Sequence, residues 1–165
     1  MTFLDYLIEF VLCTGAILSF CVLISVPKKA VPASSLVGGL AYVLYRLIFI
    51  NFGREILAYF LATVFIALSA EICARIYKKP STVFIFPGII PLVPGVGLYN
   101  SMYCLVQGDQ QGFSANATKT VFIAGAIAIA VAVVHIIARS IVSRRAGRVM
   151  LYTVQTPEED DKTSK

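Results

Sequence analysis

With 165 residues, 58% of them hydrophobic and only 14% charged, the chain lacks the charged surface of a soluble domain, which usually makes up about a quarter of the residues. At roughly 20 apolar residues per helical crossing, its length accommodates four or five membrane spans and no separate extramembrane domain. The net charge of +5 does not point to nucleic acid, because the basic residues sit at the ends of apolar runs, where they set orientation in a bilayer.

The first span is expected over about 6–26, closing on Pro27, Lys28 and Lys29. Its opening residues lack a basic leader and a small-residue cleavage site, so it does not read as a removed signal peptide. Asp5 and Glu9 share one helical face. Either both carboxylates are solvated among headgroups, or Glu9 lies deep enough to take and release a proton. After a short connection over 30–35, Ser34 or Ser35 is expected to cap a second span, 34–52. Arg46 lies inside that span. It either snorkels to the interface or faces the bundle and offers a fixed positive charge to an anion or to Glu9. A tight polar turn holding Asn51, Gly53, Arg54 and Glu55 leads to a third span, 56–76, in which the spacing of Glu71 and Arg75 predicts an intrahelical ion pair.

The fourth element, 83–107, is broken. Pro87, Pro91 and Pro94 interrupt a stretch that carries no charge from Ser81 to Gly108, and proline inside a helix removes a backbone bond and crowds the preceding turn. Broken backbone at membrane depth survives only where protein or a water-filled cavity covers it. The segment from Leu98 to Gln107 is long enough for about 15 Å of helix, half the hydrocarbon thickness, so it begins near mid-membrane. Such a half-helix presents unpaired N–H groups and a positive dipole end, which suit a carboxylate. Pro87, Gly88, Pro91, Pro94, Gly95 and Gly97 are therefore expected to shape a cavity, with Tyr99, Asn100 and Ser101 contacting a small polar ligand. The plain alternative is a proline-kinked helix packed against its neighbours with no ligand.

A polar loop is expected over 107–120, followed by a last span, 121–141. Ala124, Ala128 and Ala132 suggest a small-residue packing seam there. The only histidine, His135, is either satisfied by a neighbour in the interior or a proton relay. Residues 143–165 are basic and then acidic and read as a disordered, solvated tail. Basic clusters follow the first, third and fifth spans. The positive-inside rule then places the N-terminus outside and the C-terminus in the cytoplasm, which requires five crossings. The whole reads as an all-α integral membrane protein. Cys13, Cys21, Cys73 and Cys104 occur singly in apolar runs and read as small apolar residues, so no metal and no cofactor are expected. No nucleophile elbow, HExxH, P-loop or second histidine supports an enzyme.

The stretch PGIIPLVPGVGLYNSMYCLVQGD closely resembles the hallmark segment of the threonine/serine exporter (ThrE) family, specifically the small C-terminal-half, YjjB-like membrane subunit. The five-span layout matches to about Val142. The resemblance implies a secondary transporter of the bacterial cytoplasmic membrane that exports small carboxylated metabolites. Threonine and serine name the family, and succinate is associated with two-subunit members. It also implies a separately encoded, larger ThrE-type subunit as partner. Arg46, Glu9 and His135 are the candidates for charge compensation or proton coupling, driven by an ion gradient since no ATP-binding sequence is present. The rival expectation is a non-transporting assembly or stability subunit of a membrane complex.

Overall fold

A computed structural model describes residues 3–155, and their side chains as far as Ser140 except those of Phe3 and Asp5. Among the described residues all regular structure is helical: α1 (Phe3–Leu23), α2 (Val31–Phe52), α3 (Glu55–Tyr77), α4 (Thr82–Ile89), a 3-10 turn (Ile90–Leu92), α5 (Gly95–Val106) and α6 (Gln110–Gln155). Among the described residues four helices are long and apolar enough to cross a membrane, five when the bent α4–α5 pair counts as one span.

Local chemistry sets the boundaries. Pro32 falls in the first turn of α2, where its missing N–H costs nothing, so the helix starts before the serines rather than at them. Ser34 and Ser35 are interior, and their hydroxyls donate to the carbonyls of Ala30 and Val31 at 3.1 and 3.0 Å. Gly53 closes α2 in the left-handed conformation, φ 62°. The polar stretch after α5 is not the expected loop. Gly108, φ 75°, ends α5, and Asp109 Oδ1 accepts the N–H of Gly112 at 2.9 Å, capping α6 in the manner typical of a helix start. Three residues, Gln107, Gly108 and Asp109, therefore make the whole turn. At its other end α6 continues to Gln155, past the point where the tail was expected to begin. Residues 156–165, the acidic part of that tail, fall outside the described residues.

The direction of α6 fixes the topology. Lys119 pairs with Glu55 at the start of α3, and His135 Nδ1 lies 3.2 Å from Glu71 Oε1 near its end. Both pairs span the same 64 residues of sequence. The two helices are thus parallel and in register over the roughly 24 Å of helical rise between the pairs. A parallel α6 obliges the intervening chain to return from the Tyr77 end of α3 to the Glu55 end. Phe84 of α4 still sits against Tyr77, ring centroids 5.7 Å apart, whereas α5 leads into α6 beyond Lys119. The broken element therefore runs from one end of the bundle to the other, bent by 48° at its break.

In the packing, α1 lies on α2, α2 on α3, α3 on α6 and α6 on α5, with α4 between α2 and α3. The core joins Ala41, Ala62, Ile66 and Leu92 in one cluster and Ala30, Ala70, Phe84 and Ile85 in another. Its small-residue seam runs along α3, through Ala58, Ala62 and Ala70. Ala124, Ala128 and Ala132 of α6 do not form the expected packing seam. They face a groove of about 590 Å³ beside α4, because α6 turns Ile123, Ala130, Val134 and Ala138 into the bundle instead.

Candidate functional site

The break is made by Val93 and Pro94. A residue before proline is driven out of the helical region, and Val93 is extended, φ −61° and ψ 128°. Pro94, φ −75° and ψ 58°, has no N–H and no side-chain oxygen with which to cap the helix that follows. Among the described residues, the backbone bonds around the start of α5 run from Gly95 N–H to Val93 and from Leu98 N–H to Pro94. The N–H groups of Val96 and Gly97 have no backbone acceptor in that set. They are the orphan donors that every helix start leaves.

These donors border a partly enclosed cavity of about 390 Å³. Tyr42, Tyr45 and Arg46 line it from α2, Glu55 and Tyr59 from α3, Pro91 and Val93–Gly97 from the break, Asn100 from α5, and Asn116, Lys119 and Thr120 from α6. Tyr45 and Tyr59 pack in a tilted arrangement, 4.4 Å between ring centroids, making one wall aromatic. Arg46 faces the bundle and does not snorkel. Its Nη2 and Nε donate to the two carboxylate oxygens of Glu9 at 2.9 and 3.1 Å, the forked geometry in which guanidinium and carboxylate bind most strongly. Glu9 stands behind Arg46 and fixes it. Across the cavity, Lys119 and Glu55 form the second ion pair.

The sequence-derived candidates separate into two groups. Pro91, Pro94, Gly95, Gly97, Asn100 and Arg46 line the cavity. Pro87 and Gly88 are buried in α4 and pack helices instead. A Cβ at Gly88 would stand 3.0 Å from Ile66 Cγ2, and Gly38 of α2 approaches Gly88 so closely that its own Cβ would lie 3.1 Å from the Gly88 Cα. Tyr99 points outward, 69% exposed. Ser101 is buried and its hydroxyl donates to the carbonyl of Gly97 at 2.7 Å. His135 lies about 24 Å of helical rise from Lys119, half exposed and bonded to Glu71. It is satisfied by a neighbour but not interior. Glu71 is thus paired across helices rather than with Arg75 in its own, because α6 brings an imidazole to the face that Arg75 was expected to serve.

Several lining residues were not anticipated: Tyr42, Tyr45, Tyr59, Glu55, Lys119, Asn116 and Thr120. One signal was present, since Tyr42, Tyr45, Arg46 and Phe49 recur at the spacing of a single helical face. The rest come together only through the fold.

Chemically, the site offers a guanidinium, an ammonium, a carboxylate, two amide side chains, an aromatic wall and two backbone donors around a small volume. Its size lies near the lower end of ligand pockets, roughly 300–1,000 Å³. Among the described residues no group of three His, Cys, Asp or Glu side chains is placed to hold a metal ion. The family model described as "Threonine/Serine exporter, ThrE" matches residues 9–137. No solved structure matches the chain.

Proposed function

The chain belongs to the threonine/serine exporter family, a family of transporters rather than enzymes, and on that premise we propose that it is the small subunit of a two-component secondary transporter exporting small carboxylated metabolites. The observation that carries this reading is the cavity at the break, where cationic side chains and the N-terminal N–H groups of a half-helix converge. The substrate carboxylate sits against the start of α5. Pro91, Pro94, Gly95 and Gly97 shape its site, Asn100 contacts it, and Arg46 together with Lys119 compensates its charge. The driving force is an ion gradient. Glu9 is the candidate proton carrier, with Arg46 against it.

The protein is a multi-pass membrane protein, and its location is the bacterial cytoplasmic membrane. The N-terminus lies outside and the C-terminus in the cytoplasm. Support comes from Lys28, Lys29 and Lys79, which gather around one recess at the Tyr77 end of the bundle, as expected of a cytoplasmic rim. The partner is a separately encoded, larger ThrE-type membrane subunit. Val96, Tyr99 and Val106 of α5 are 76, 69 and 84% exposed, and broken backbone in hydrocarbon needs a protein cover. That same exposed face favours the second reading, a non-transporting subunit whose broken helix serves only to hold a complex together.

The test is efflux of labelled threonine, serine and succinate from cells lacking their own exporters, with this chain expressed alone and with its partner. Efflux only with both subunits is expected. Gly95→Leu should remove it while the complex stays in the membrane, since nothing lies within 4 Å of a Cβ there and the side chain is free to fill the cavity. Unchanged efflux from Gly95→Leu rules out the cavity; loss of the complex before loss of efflux supports the assembly reading.

A further inference from the structure

We propose that Glu55 is the specificity-determining residue of this site: it binds the ammonium group of a zwitterionic substrate and thereby excludes dicarboxylates. The proposal rests on the cavity reading given above. Its basis is the charge inventory. Arg46, Lys119 and Glu55 line the cavity, and Glu9 stands directly behind Arg46, so two positive and two negative groups balance. A neutral site within a membrane protein takes in a net-neutral ligand without creating an uncompensated charge, whereas a dianion brings charge that must be offset elsewhere.

The two ion pairs differ in what holds them. Arg46 is gripped by both oxygens of Glu9. Lys119 is a flexible point charge, 55% exposed, set against one oxygen of Glu55. Glu55 itself is 26% exposed and sits in the first turn of α3, where the helix dipole favours a carboxylate. Glu55 is therefore the fixed member and Lys119 the one able to swing.

A zwitterion inserts between them without stranding either charge. Its ammonium takes Lys119's place on Glu55, and its carboxylate meets Lys119 and the N–H groups of Val96 and Gly97. The aromatic wall supports the same orientation. Tyr59 lies one turn after Glu55 on the same face of α3, its ring against Tyr45, and aromatic faces attract a cation. A dicarboxylate in this pose directs its second carboxylate at Glu55, like charge against like.

The experiment uses everted vesicles containing this chain and its larger partner, with uptake of labelled threonine and labelled succinate. In the unaltered protein threonine should accumulate and succinate should not. Glu55→Gln should lower threonine transport at least tenfold without lowering any residual succinate transport, Glu55→Asp should retain threonine transport, and Lys119→Gln should lose it. A second measurement needs no variant: excess N-acetylthreonine, which keeps the carboxylate and lacks the ammonium, should fail to compete with threonine. Threonine transport indifferent to Glu55→Gln, or competition by N-acetylthreonine equal to that of unlabelled threonine, overturns the role of Glu55 while leaving the transporter reading intact. Transport of succinate in preference to threonine overturns it as well. Absence of all transport by an assembled complex removes the transporter reading and this assignment with it.

Discussion

The two halves of the broken element are cut from one uncharged, proline- and glycine-rich stretch, yet they live in opposite surroundings. In α4, Phe84, Ile85, Pro87 and Gly88 are all buried. In α5, Ser101 alone among the described residues is. The difference shows what glycine does in each. At Gly88 the missing side chain lets Ile66 of α3 pack against the backbone of α4, in the space a Cβ would need, while Gly38 brings α2 against the same backbone. At Gly95 there is nothing to meet, and the missing side chain leaves room for a ligand. One composition thus supplies an anchor on one side of Pro94 and an opening on the other.

Substitutions along the element sharpen or break that contrast. The largest effect on stability is expected from Gly88→Val, which overpacks the anchor and should cost about 1–3 kcal/mol, read as a lower melting temperature of the detergent-solubilised protein. Ile66→Ala in the same chain should recover part of it. A Gly88→Val protein that melts like the parent would end the distinction between the halves. Gly97 is intermediate, since it lines the cavity but also lies against the Thr120 hydroxyl of α6. Gly97→Val should destabilise, with a coupling to Thr120→Ala of about 1 kcal/mol in a double-mutant cycle. Removing the cap of α6 by Asp109→Ala should cost about 1 kcal/mol, and hydrogen exchange should quicken in the first turn of α6 before anywhere in α4. The smallest shift belongs to Gly95→Leu. Its melting should stay within about 0.5 kcal/mol of the parent even as transport fails, and a substantial destabilisation there would show that the opening is packed after all.

The break itself was legible, because Pro87, Pro91 and Pro94 act on the residues next to them and that action is local. So was the all-helical architecture with four or five helices apolar enough to cross a membrane. What could not be read is whatever depends on rotation and distance. The stripe of Ala124, Ala128 and Ala132 has the right period for packing, but a helix has several such stripes, and only contact with α3 decides which one turns inward. The stretch after Gly108 is polar because its Asn116, Lys119 and Thr120 face a cavity, and polarity in sequence reads as a loop. Glu55 and Lys119 are 64 residues apart, so neither carries any local sign of the other. Glu9 and Arg46 are legible as partners because both are unusual charges within apolar runs.

The equal spacing of the two bridges between α3 and α6 has a mechanical consequence. A ladder with two rungs resists sliding of its rails. Moving α6 along α3 by one turn, about 5.4 Å, parts Lys119 from Glu55 and His135 from Glu71 together, so axial sliding meets two penalties at once. The α3–α6 pair thus behaves as a frame of fixed length, and α5, packed along α6, is carried by it beyond the joint at Val93 and Pro94.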